Sequence, residues 1–223
     1  MKTKIKILLG IGIACILFMA SSCKKDKTSP ETDEGLNTYT LTLENAIIQN
    51  AACGVDLANG VVYSVAEGLG RQENVDIAYG YMTKGERKER CFLAISYAGC
   101  ACGGSSMFSY GDTSSPRTGY YSYSVKNETK LLPASAVIDF DKIFSTAKKA
   151  DLEAALSQLS SNEHYTDEAF FSSQDNLVQP PYVFFQTVKG KRGIMRVKGY
   201  VKDVATDYHL RKNPITIDVV IEK

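Results

Sequence analysis

Only one stretch of this chain spaces its apolar residues three and four apart. Between Asp139 and Ser160 the residues Ile143, Phe144, Ala147, Leu152, Ala155, Leu156 and Leu159 recur at helical spacing. Elsewhere the clearest patterns alternate apolar with polar, the two-residue period of a half-buried strand. Strands on both sides of a single helical block imply a β-rich α+β fold with a mostly antiparallel sheet, not the regular strand–helix alternation of a parallel one. Asp139 and Asp151 are both suited to cap a helix N-terminus, so residues 139–160 read equally well as one helix or two.

The strand candidates follow in order. Tyr39–Leu43 alternates, and Val61–Val65 stands between Asn59-Gly60 and Gly68. Residues 75–83 and 91–99 flank the charged run KGERKER and read as a hairpin across a short charged loop. Residues 182–189 and 194–203, separated by Gly190-Lys191-Arg192-Gly193, form the clearest hairpin. At the end Ile215, Ile217, Val219 and Ile221 alternate with Thr216, Asp218 and Val220, a terminal strand expected to dock in a sheet. Residues 37–223 suffice for one domain with its own core.

The N-terminus has a different character. Lys2, Lys4 and Lys6 precede an apolar run from Ile7 to Ala20 that is too short for a comfortable membrane span and fits a signal peptide. It ends in Ala20-Ser21-Ser22-Cys23, which resembles a lipobox, although Ala20 stands where Leu is usual. The Ser-Cys-Lys-Lys-Asp junction resembles those of Bacteroidetes-type lipoproteins. The resemblance implies cleavage after residue 22, lipidation of Cys23 and an outer-membrane address on the cell-surface or periplasmic face. Residues 23–36 are polar and read as a tether. Without residues 1–22 the chain carries 23 basic against 25 acidic residues instead of 26 against 25, so its formal charge moves from +1 to −2. No basic block remains, which argues against a nucleic-acid partner.

Four cysteines lie in the domain: Cys53, Cys91, Cys100 and Cys102. An even number in an exported chain suggests two disulfides, 53–100 with 91–102 or 53–102 with 91–100. Cys-Ala-Cys lacks the usual spacing of a zinc site, and we expect no metal and no cofactor. His164 and His209 sit in polar surroundings and read as solvated loop residues. The stretch around NGVVYSV and VDIAYGYM loosely resembles HmuY-like haem-binding lipoproteins, which implies haem between two histidines as an alternative.

No catalytic motif stands out. Ser145-Thr-Ala-Lys148 lacks its companion motifs, and Asn127-Glu-Thr129 is a sequon of a kind bacteria seldom use. The chain has 13 tyrosines and no tryptophan. Tyr110, Tyr120, Tyr121 and Tyr123, among Gly, Ser and Thr, are candidates for stacking on a glycan or peptide. The sequence therefore leads us to expect a non-enzymatic, lipid-anchored binding or accessory protein of the envelope, with a membrane contact through Cys23. A structural or assembly component with envelope protein partners is the alternative.

Overall fold

A computed structural model describes residues 35–46, 50–84, 87–98, 120–134, 138–159, 164–174, 177–179, 182–200 and 213–223. The signal segment, Cys23, Cys100, Cys102, Tyr110 and His209 lie outside the described residues. Residues 33–223 form one compact unit.

The alternation in the last strand dictates the centre of the molecule. Strand β11 (Ile215–Glu222) lies between β1 (Leu36–Leu43) and β10 (Arg192–Tyr200), antiparallel to both. Beyond β10 come β9 (Tyr182–Gln186) and β6 (Lys130–Ala134), giving a five-stranded sheet in the order β1-β11-β10-β9-β6. A second, six-stranded sheet runs β3-β2-β4-β5-β7-β8, formed by Val61–Ser64, Ala52–Asp56, Ile77–Lys84, Arg87–Ala94, Glu168–Gln174 and Leu177–Gln179. The β-rich α+β fold expected from the pattern is present, but with two antiparallel sheets.

The sheets share one core. Ile215, Ile217, Val219 and Ile221 of β11 meet Val55 of β2, Ile77 and Tyr79 of β4 and Phe92 of β5, with Leu41, Val183, Phe185 and Met195 around them. Period-2 burial of this kind fixes register, because a one-residue slip would turn the whole apolar set outward. Val220, on the opposite face of β11, joins Ile194 and Phe184 beneath two helices, so β11 is buried on both sides.

Those helices resolve the helical block into two: α3 (Phe140–Thr146) and α4 (Lys149–Leu156). Asp139 caps α3 by accepting from the Lys142 N–H. Asp151 is not a cap. Its carboxylate takes Lys142 Nζ at 2.7 Å and Thr146 Oγ1 at 2.9 Å, strapping α4 to α3. Between them Ala147 turns left-handed at φ 51°, and its carbonyl accepts from the Leu36 N–H at 2.8 Å. Leu36 is therefore the buried first residue of β1 and not the end of a tether.

Two other expectations are corrected. The strand at Val61 stops at Ser64, which caps the short helix α1 (Val65–Leu69) in a reciprocal box with Glu67. The run KGERKER lies mostly within the β4–β5 ladder, with Lys84 opposite Arg87, and residues 95–98 form helix α2 (Ile95–Ala98), not strand.

Register also defines the two ends of the sandwich. Leu36 pairs with Glu222, Gly193 with Ile221, and Arg192 with Gln186, so β1 begins at the end closed by the β9–β10 turn. Lys189 Nζ in that turn reaches Asn74 Oδ1 at 3.1 Å, and Tyr39 Oη donates to the Ala58 carbonyl at 2.9 Å, which brings the β2–β3 turn to the same end. The connections 44–51, 85–86, 175–176 and 201–212 leave the opposite end.

Candidate functional site

The residues singled out in the sequence as binding candidates fold into a core. Tyr120 and Tyr123 begin the chain's return after helix α2, on the outer face of the six-stranded sheet, where they are 0% and 3% exposed. Their rings meet edge to face at 5.1 Å between centroids. Each hydroxyl has a buried partner, as a tyrosine tip in a core requires. Tyr123 Oη donates to the Val65 carbonyl at 2.9 Å, and Tyr120 Oη lies 3.1 Å from Cys53 Sγ. Gly54 and Gly68 make room, because a Cβ on either would stand 2.6 Å or less from one of these hydroxyls. Tyr120 and Tyr123 thus cover the sheet and present no stacking face to a ligand. The described structure gives no side-chain position for Tyr121.

The expected disulfides are not formed at their described ends. Cys53 and Cys91 are buried thiols in the same apolar cluster as Tyr120, Tyr123, Leu93 and Ile95. Burial pushes the Cys53 thiol up to about 12, against the pull of the Tyr120 hydroxyl, and Cys91 donates to the Gly80 carbonyl at 3.5 Å. A thiol so far from ionising is not a nucleophile at neutral pH. Alkylating the unreduced protein should therefore label neither Cys53 nor Cys91 while folded and both once denatured, as read by peptide mass mapping. A denatured, unreduced chain that stayed unlabelled at these positions would restore the disulfide pairing.

Asn127, first residue of the sequon, is equally structural. It is 5% exposed and its Nδ2 donates to the Val75 carbonyl at 2.9 Å. His164 is exposed. Among the described residues no three His, Cys, Asp or Glu side chains converge as a metal site.

Two polar clusters were not legible as sites. At the end where β1 begins, Asp76 and Asp56 are 4% and 2% exposed. Asp76 Oδ2 accepts from the Leu57 N–H at 2.9 Å, and Asp56 accepts from the backbone and side-chain N–H groups of Asn59 at 3.0 and 2.8 Å. Burial raises the Asp76 carboxyl to about 7, against the Leu57 hydrogen bond; Asp56 adds to the rise, while Lys189 and Lys191 oppose it. Tyr39, also held above its ordinary value by burial and by Asp56, completes the cluster.

The second cluster lies where α3 crosses the five-stranded sheet. Asp218 on β11 is 1% exposed and accepts from Thr40 Oγ1 at 2.7 Å and Arg196 Nη2 at 3.0 Å, with Lys198 Nζ at 3.7 Å. Arg196 also reaches Asp141 at 2.9 Å and lies 4.5 Å over the Phe140 ring. Here one carboxylate joins β10, β11 and β1, and Arg196 carries the link on to α3. Beside it a hollow of about 140 Å³ opens between α3 and α4, with Lys142 and Gln158 at its rim and Ile143 and Ala155 in its lining. That volume falls well below the roughly 300 Å³ at which small-molecule pockets begin.

Both clusters tie secondary-structure elements together, and neither sets a nucleophile beside a base. Set against family models, curated proteins and solved structures, the chain finds no match.

Proposed function

We propose that this chain is a lipid-anchored envelope protein that binds a glycan or a peptide without catalysing a reaction. The observation that carries the reading is the N-terminal arrangement: three lysines, an apolar run to Ala20, then Ser21-Ser22-Cys23. Only about a dozen polar residues separate Cys23 from Leu36, where the sandwich begins.

The topology supports the binding half. An antiparallel sandwich offers its connections at two ends, and binding loops on such scaffolds cluster at one of them. β1 begins at one end, and 44–51, 85–86, 175–176 and 201–212 connect strands at the opposite end. Connections gathered at one end favour ligands read by surface loops over ligands enclosed in a cavity.

The anchor is tested by Cys23→Ala. The native protein should sediment with membranes, and the variant should appear in the soluble fraction or accumulate with its signal segment uncleaved. Unchanged membrane association of a processed Cys23→Ala protein would overturn the reading.

A further inference from the structure

The turn between β9 and β10 carries Val188, which at 54% exposure is the most exposed large apolar side chain among the described residues. Lys189, Gly190 at φ 81° and Lys191 follow it. One exposed valine is ordinary on a protein surface. Its position gives it meaning, because this turn closes the end of the sheet at which β1 begins. β1 and β10 flank β11, so two strand spacings, about 10 Å, separate them. Of the acids at this end, Asp56 and Asp76 are buried, Glu222 and Glu153 are both paired with Arg192, and Glu128, two residues before Lys130, which pairs with Gln186, is exposed. Glu73, in the neighbouring 3₁₀ turn (Gln72–Asn74), is the exposed acid nearest in the chain to Asn74, the partner of Lys189.

We propose that the 187–191 turn is a second, non-covalent contact with the bilayer that holds the Cys23 lipid. Val188 enters the interfacial layer, and Lys189 and Lys191 face anionic phospholipid headgroups. The inference rests on the lipid-anchored reading. From Cys23 to Leu36 the chain can span at most roughly 45 Å, so the start of β1 can reach the headgroups and cannot move further from the lipid than that. Two lysines attract an anionic surface only weakly in free solution. A covalent tether makes the encounter intramolecular, at an effective concentration on the order of millimolar, and a weak contact then becomes populated. The contact sets orientation: the strands stand off the membrane, and the far ends of β1, β4, β7 and β10 face away from it.

The chain contains no tryptophan, so Val188→Trp adds a single fluorescent reporter at the turn and Thr42→Trp one at the exposed opposite end of β1. The full lipidated protein is reconstituted into vesicles of phosphatidylethanolamine and phosphatidylglycerol with brominated acyl chains. Bromine should quench Val188→Trp several-fold more than Thr42→Trp, and adding Lys189→Glu with Lys191→Glu should remove most of that difference. The same indole sits in both reporters, so its own taste for interfaces cancels in the comparison. Flotation with the vesicles reads the anchor separately. Protein that floats with both tryptophans equally quenched overturns the contact and leaves the anchor standing. Protein that fails to float overturns the anchored reading and the contact with it.

Discussion

Asp76→Asn stabilises the domain above pH 7 by about 2–4 kcal/mol, an order-of-magnitude figure set by the distance between the raised and ordinary carboxyl values. The sign follows from the direction of the shift. Burial raises the Asp76 carboxyl from 3.8 to about 7 in the fold. Between those values the folded chain holds a proton that the unfolded chain has lost. Stability therefore falls as pH rises from about 4 to about 7, and the deficit stays constant above. Asparagine keeps the shape and an acceptor for the Leu57 N–H, and it carries no charge at any pH. Urea unfolding of both proteins at pH 4 and pH 8 should show near-equal stability at the first and a clear gain for Asp76→Asn at the second. Equal stability at pH 8 would mean that Asp76 is solvated well enough to ionise freely.

Arg196→Met should cost about 3 kcal/mol, the usual penalty for removing one partner from a buried ion pair. Asp218 is 1% exposed and would be left with Thr40 and the more distant Lys198, while Phe140 would lose the guanidinium over its ring. The Asp141 contact adds little, since that carboxylate side chain is 82% exposed. Adding Asp218→Leu should recover most of the loss, because an apolar pair replaces the charge that had no partner. Thermal unfolding of the two proteins decides the matter. A double variant as unstable as the single one would show that packing against α3, and not the charge, is what Arg196 supplies.

Local periodicity carried much of the fold. β11, the β9–β10 hairpin and the helical block were legible because each has several apolar residues at a consistent spacing. The sequence also held a signal for α1 that the strand pattern hid: Ser64-Val-Ala-Glu67 is a capping box, and it stops β3 at Ser64. Strand β6 was missed for the opposite reason. KLLPA is short and contains Pro133, a residue confined to edges and bulges, and β6 is indeed an edge of its sheet. The pairing of β strands into two sheets depends on contacts far apart in sequence, which no window of residues displays.

Composition misled where burial decided. The even cysteine count pointed to disulfides, yet Cys53 and Cys91 act as small apolar residues in a packed face. The tyrosine-rich stretch suggested ligand stacking, yet its last members find their partners at Cys53 and Val65, some 60 residues earlier in the chain. Asp76 carried no signal, and Asp218 stood only among the polar members of the last strand, because nothing local distinguishes a carboxylate that the fold will bury.

The pairing of β1 with β11 gives the molecule a timetable. The first described strand of the domain borders only one neighbour in its sheet, and that neighbour, residues 215–222, is made after every other described strand. Until residues 215–222 exist, Leu36–Leu43 has no ladder to join, and the central place between β1 and β10 stands empty. Synthesis at about 5–20 residues per second leaves that vacancy open for many seconds.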